Sequence, residues 1–148
     1  MGLKLNLRPG PIWVSAAAPD FDGSEFSEFD AAERAKVRFL IAPAKKSDVL
    51  AAIDRNSEMK EIKTRLDGHT QTIEREVLNQ ASFNHERLCA VLLDWSGLLD
   101  EAGITIPCTP ENKTAFHDSF FQTVEAIFGI SNRAAVRGEN RLEQAEKN

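Results

Sequence analysis

The sequence predicts a helix-rich α+β fold: one domain over residues 1–130, with a small antiparallel N-terminal strand set packed on a C-terminal helical hairpin, and a polar tail over 131–148. Three observations lead there. Leu3, Leu5 and Leu7 alternate with polar residues at the period of a half-buried strand, and Lys36–Ala42 (KVRFLIA) is rich in β-branched and aromatic residues and stops at Pro43. Leu88, Val91, Leu92, Trp95, Leu98 and Leu99 recur at three- and four-residue intervals. Phe116, Phe120, Val124, Ile127 and Phe128 repeat that spacing, with Asp118, Gln122 and Glu125 opposite them.

In chain order, Pro9-Gly10-Pro11 separates the first strand from a second at Ile12-Trp13-Val14. Residues 19–30 are acidic, and Phe21, Phe26 and Phe29 punctuate them, which reads as a loop docked through its phenylalanines. Ser47-Asp48 opens a short helix through Val49, Leu50 and Ile53. Between Arg55 and Thr70 two patterns compete: Met59, Ile62 and Leu66 have helical spacing, whereas KEIKTRL closed by Asp67-Gly68 has that of a strand and turn. The expectation there is irregular structure with some strand. Ile73, Val77 and Leu78 read as a resumed helix, continuous with Leu88–Leu99 or broken near Ser82 and Asn84.

The Leu88–Leu99 helix should end at Gly103, which suits the left-handed position past a helix C-terminus. Thr109-Pro110-Glu111 then supplies a hydroxyl N-cap, a proline at the first helical position and a first-turn carboxylate. The two helices should pair through their Leu/Trp and Phe faces, with Trp95 between them. Arg133, Arg137 and Arg141 share helical spacing in the tail, Gly138 interrupts them, and Glu143–Asn148 should fray.

With 148 residues, 42% of them hydrophobic, the chain can bury one core and is short for two. Eighteen Lys and Arg against 23 Asp and Glu give a formal charge of −5, which argues against a general nucleic-acid-binding surface. Only Cys89 and Cys108 are present, with no signal-peptide pattern and no apolar run long enough to span a bilayer. The expectation is a soluble protein of a reducing cytoplasm.

Little chemistry is written in the residues. His85, Cys89, Cys108 and His117 could compose a mixed zinc set, yet they lack a paired CxxC or HxxxH unit, and a buried thiol is ordinary in an apolar run. Asp20–Glu25 clusters oxygens without the alternating ligands and distal Glu of a calcium loop. Ser96-Gly97 is no nucleophile elbow, and no phosphate-binding glycine pattern or acid/base pair stands out. No catalytic, metal or cofactor site is expected, and the chain reads as a non-enzyme. The arginine row at 133, 137 and 141 is the candidate partner-binding feature, suited to an acidic partner.

One segment is more specific. Trp95, Gly97, Asp100, Gly103, Pro107, Thr109, Glu111 and Asn112 follow the pattern WxG(V/L)xDxxGxxxPxTxEN, and this resembles the small tail assembly chaperones of long-tailed bacteriophages and prophages. The resemblance covers roughly residues 35–128, since such proteins often carry a proline-ended strand like Val37–Pro43 ahead of a helix like the one opening at Ser47. The chain departs at Ser96, where an acidic residue is common, and at Ala102, where Asp or Asn is common. The resemblance implies a non-enzymatic protein without cofactor that binds the tape measure protein, helps recruit major tail tube protein and leaves before the virion is mature. Homo-oligomers are compatible with it; nucleic acid and membrane partners are not expected. It also implies a longer product made by ribosomal frameshifting, because Glu146-Lys147-Asn148 can be encoded GAA AAA AAC, which contains the slippery run A AAA AAC. Two rival classes are a structural virion component, such as a head-tail connector or tail terminator subunit, and an adaptor or inhibitor acting on a host protein.

Overall fold

Strand β2 (Arg38–Ile41) is the centre of the fold because its alternation gives it two different faces: Phe39 and Ile41 are buried, while Arg38 and Leu40 point the other way. It pairs antiparallel with β1 (Ile12–Ser15), Val14 opposite Phe39, and on its other side with β5 (Leu92–Ser96), Phe39 opposite Trp95. The structure, a computed structural model, describes residues 10–147, with side chains as far as Ala135. The strand expected at Leu3–Leu7, the side chains of Arg137 and Arg141 and the terminal Asn148 lie outside the described residues.

The remaining elements are α1 (Ala31–Ala35), α2 (Lys46–Arg55), β3 (Ser57–Leu66), β4 (His69–Leu78), α3 (Gln80–Val91), α4 (Pro110–Ser119) and α5 (Phe121–Lys147). Helices and antiparallel strands both contribute, so the fold is α+β, with the N-terminal sheet and C-terminal helices that the sequence predicts. The chain divides into two compact units, Met1–Lys45 with Leu88–Asn148, and Lys46–Arg87.

In the first unit, the acidic segment forms two 3-10 turns at Pro19–Phe21 and Glu25–Glu28. Phe21 and Phe26 are buried as expected, but Phe29 is 46% exposed. Phe39 meets Phe21, Phe26 and Phe116 at ring-centroid distances of 5.5, 5.8 and 5.8 Å. Phe116 continues the cluster to Trp95 at 5.4 Å and to Phe120 at 4.9 Å. Val124, Ile127, Phe128 and Ile130 of α5 complete the core.

The expected helix across Leu88–Leu99 is a correction. The helix stops at Val91, and Leu92–Ser96 is the strand β5. The reason is a register shift: Leu40 faces Asp94 while Ile41 faces Leu92, so Leu93 is an extra residue on β5. That extra residue puts Leu92 and Trp95, three apart, on the buried side and leaves Leu93 and Asp94 exposed. A bulged strand therefore reproduces the three-residue spacing of a helix. The C-terminal helical pair is consequently α4 with α5, divided at Phe120 (φ −125°, ψ 49°), and Trp95 packs between strand and helix rather than between two helices.

Gly103 has φ +79° as expected, but at a turn rather than a helix end. Asp100 and Gly103 close a loop in which Leu99 bridges Thr105. Thr109 does cap α4, its hydroxyl accepting from the Asn112 N–H at 3.2 Å. Helix α5 runs on through Gly138 to Lys147, with no interruption of its backbone.

The second unit overturns two expectations. Residues 57–66 and 69–78 form one long antiparallel hairpin, so the strand-and-turn pattern of KEIKTRL closed by Asp67-Gly68 extends over the whole stretch in place of irregular structure, and Ile73–Leu78 is strand rather than helix. Asp67 (φ 50°) and Gly68 (φ +81°) make the tight turn, since both central positions of the favoured hairpin turn need positive φ. Asn79 separates β4 from α3, its side-chain oxygen accepting from the Ser82 N–H at 3.2 Å. Glu86 accepts from Arg55 Nε at 2.7 Å and from Asn56 Nδ2 at 2.6 Å, tying the end of α2 to α3. Its carboxyl is held below the usual carboxylate range by those hydrogen bonds, Arg55 first.

Glu25 ties the acidic segment to the start of α5. Its carboxylate accepts from the Gln122 N–H at 3.1 Å, the Thr123 N–H at 2.9 Å and the Thr123 hydroxyl at 3.0 Å. Those are the unsatisfied first-turn donors of a helix, so a residue 98 positions away does the work of an N-cap. Partial burial pushes the Glu25 carboxyl up, but the hydrogen bonds from Thr123 and Gln122 outweigh it and hold the group below its ordinary value. A depressed folded-state value means stabilisation that is present above the unfolded-state pKa and lost as pH falls through the folded one. Glu25→Gln should therefore lower stability at neutral pH by about 1–2 kcal/mol, the worth of a charged cap. Urea melts at neutral and strongly acidic pH check this: the gap between wild type and variant should narrow in acid, and an equal gap at both would rule out a carboxylate effect.

Candidate functional site

The segment from Trp95 to Asn112 is held by its own side chains. Trp95, 5% exposed, donates from Nε1 to the Ile106 carbonyl at 2.7 Å, clamping the two ends of the loop together. Asp100 Oδ1 accepts from the Ala102 and Ile104 N–H groups, both at 2.9 Å, so one carboxylate satisfies the turn. Asn112 Nδ2 donates to the Pro107 carbonyl at 2.8 Å, fixing the approach to α4, while Glu111 sits exposed in the first turn of that helix. Gly97 (φ +84°) lies against the chain before β2: a Cβ there would stand 2.1 Å from the Lys36 carbonyl oxygen. Trp95, Gly97, Asp100, Gly103, Thr109 and Asn112 thus build the loop.

Between them, Leu98, Ile106 and Cys108 are half-buried against the core, while other side chains face outward. Leu99 is 57% exposed and Ile104 64%. Leu98, Leu99 and Ile106 line one wall of a groove of ≈ 520 Å³, whose other walls come from Phe26, Phe29, Val37, Phe116 and Phe120. A smaller cavity of ≈ 220 Å³ shares Leu98, Ile106, Phe116 and Phe120 in its lining and reaches Trp95 and Asn112. Glu33, Arg34 and Lys36 supply the polar lining. Arg34 is committed within the fold, donating to the Ala16 carbonyl and pairing with Asp22, each at 3.1 Å. An apolar trough with few polar groups suits the apolar side chains of a bound helix. The sequence does not reveal it, because apolar residues spread from Phe26 to Phe120 look the same whether they line a groove or fill a core.

Of the arginine row read as a candidate partner-binding feature, Arg133 alone has a described side chain. Arg133 pairs with Asp20, so part of its charge is spent on the acidic segment. Asp20, Asp22 and Glu25, whose oxygens cluster in the sequence without a calcium-loop pattern, each engage a different protein group. Among the described residues no group of three or more His, Cys, Asp or Glu is placed to hold a metal ion. Cys89 and Cys108 are not joined in a disulfide, and burial pushes the thiol of Cys108 up, away from the reactive thiolate. No helix among the described residues is long and apolar enough to cross a membrane.

The two glycines of the loop separate strain from collision. Gly103→Ala has open space and should cost about 1–2 kcal/mol, the penalty of a left-handed backbone alone. Gly97→Ala adds a backbone collision with Lys36 and should cost more, about 3 kcal/mol or above. Thermal or urea unfolding of both variants checks the order, and equal losses would show that the Gly97–Lys36 approach is not tight.

No protein-family model, curated protein or solved structure matches the chain.

Proposed function

We propose that this chain is a tail assembly chaperone of a long-tailed bacteriophage or prophage. It is a non-enzymatic protein of the bacterial host cytoplasm that binds the tape measure protein, keeps its long hydrophobic helix in solution and helps recruit tail tube subunits. The observation that carries this reading is the place of the family-like segment: Leu98, Leu99 and Ile106, from inside Trp95–Asn112, line the apolar groove. Burying one Leu or Phe anchor there contributes about 1.5–3 kcal/mol, so a helix presenting apolar residues on one face binds through a few contacts. The half-exposed Phe29 and Leu99 at the groove offer such contacts without unfolding the chain.

Co-expression with the tape measure protein tests the reading. The wild-type chain should keep that protein in the soluble fraction and elute with it. Phe29→Asp and Leu99→Asp should each weaken the complex by about tenfold or more, while the melting temperature of the chain alone changes little. Unaltered solubilisation by both variants would remove the groove from the mechanism, and a chain that remains in purified virions would identify a structural component instead.

A further inference from the structure

The charged residues that line the apolar groove are Glu33, Arg34 and Lys36, all from α1 and its C-cap, so one wall holds the whole charge of the lining. Arg34 is taken up within the fold by the Ala16 carbonyl and by Asp22. Glu33 and Lys36 are both exposed, and among the described residues neither is in an ion pair. Lys36 keeps helical backbone angles (φ −80°, ψ −17°) and its N–H donates to the Glu33 carbonyl at 3.2 Å, so the two side chains stand one turn apart, about 5–6 Å between their Cβ atoms. Lys36 lies beside the loop wall, since its carbonyl oxygen is what a Cβ at Gly97 would meet, and Glu33 is one turn back along α1. A negative and a positive group at a set spacing beside an apolar trough make a charge pattern that a bound helix has to match.

We propose that Glu33 and Lys36 select which helix the groove holds: one whose apolar stripe is edged by a basic and an acidic residue one turn apart, the basic one at Glu33 and the acidic one at Lys36. The inference rests on the groove reading given above and adds to it the charge pattern of the partner. Residues at i and i+3 or i+4 of a helix stand at about the same 5–6 Å spacing, so both pairs form together. A helix edged by two acidic residues leaves one beside Glu33, and a helix edged by two basic residues leaves one beside Lys36. Like charges brought together oppose binding, so the two side chains exclude such helices as well as admitting the matched one. Burial of apolar side chains supplies the affinity and the charges supply the choice, since an exposed ion pair is worth only about two- to fivefold in binding.

Binding of three synthetic helical peptides to the full chain, followed by fluorescence anisotropy, is the test. The peptides share one leucine stripe and differ at two edge positions one turn apart, which carry Glu and Lys, Glu and Glu, or Lys and Lys. The wild-type chain should bind the mixed peptide about two- to fivefold more tightly than either of the others. Lys36→Glu presents two acidic groups and should prefer the Lys/Lys peptide by about fivefold or more, and Glu33→Lys presents two basic groups and should prefer the Glu/Glu peptide by as much. Lys63→Glu makes the same change of net charge at an exposed position of the hairpin and should keep the wild-type order. Added salt should level the preferences. Circular dichroism establishes that the variants are folded. The same order of affinities for wild type, Lys36→Glu and Glu33→Lys overturns the proposal, and so does an exchange of preference that Lys63→Glu reproduces; if Leu99→Asp weakens every peptide in those cases, the groove reading stands without it. Peptides that fail to bind, or that bind Leu99→Asp as tightly as wild type, overturn both.

Discussion

Packing around Phe39 is the constraint on which the first unit depends. Its ring is fully buried at the middle strand of a three-stranded sheet, and it touches Phe21 and Phe26 from the acidic segment and Phe116 from α4. Each such aromatic pair contributes about 0.5–1.5 kcal/mol beyond its buried area. The polar links follow from that packing. Once Phe21 and Phe26 are seated, Asp20 is placed at Arg133, Asp22 at Arg34 and Glu25 at the N-terminus of α5. A segment that reads as a solvated acidic loop is thereby a bracket between the sheet and the C-terminal helix.

The loop from Trp95 to Asn112 divides its labour between alternate kinds of residue. Side chains that give the segment its family resemblance turn inward to the backbone: the Trp95 indole to Ile106, the Asp100 carboxylate to two amides, the Asn112 amide to Pro107. Those between them, Leu98, Leu99 and Ile106, present apolar surface to the groove.

Much of the fold was legible in the sequence where one residue type answers one backbone need. The Thr109-Pro110-Glu111 cap, the buried alternation of Phe39 and Ile41, and the burial of Phe116, Val124, Ile127 and Phe128 are of this kind. Failures came where two causes produce the same spacing. The extra residue at Leu93 gives β5 a helical rhythm, and in β3 the helical spacing of Met59, Ile62 and Leu66 competes with the strand pattern that Asp67-Gly68 closes. Long-range partners were not legible at all: nothing local to Glu25 tells that its carboxylate caps a helix 98 residues later. The groove was equally hidden, since its lining is assembled from segments that meet only in the folded chain.

That separation has a consequence for how the protein is made. At about 5–20 residues per second, the ribosome needs roughly 5–20 s to synthesise the stretch between Glu25 and Thr123. For most of that interval Phe21, Phe26 and Phe39 have been synthesised while α4 and α5, which cover them, have not. The intervening hairpin, whose contacts are local, can form in microseconds as soon as it clears the exit tunnel. Synthesis therefore passes through a nascent state with its local ribbon folded and its aromatic residues still uncovered, so the unfinished polypeptide exposes the kind of apolar surface that folding chaperones bind.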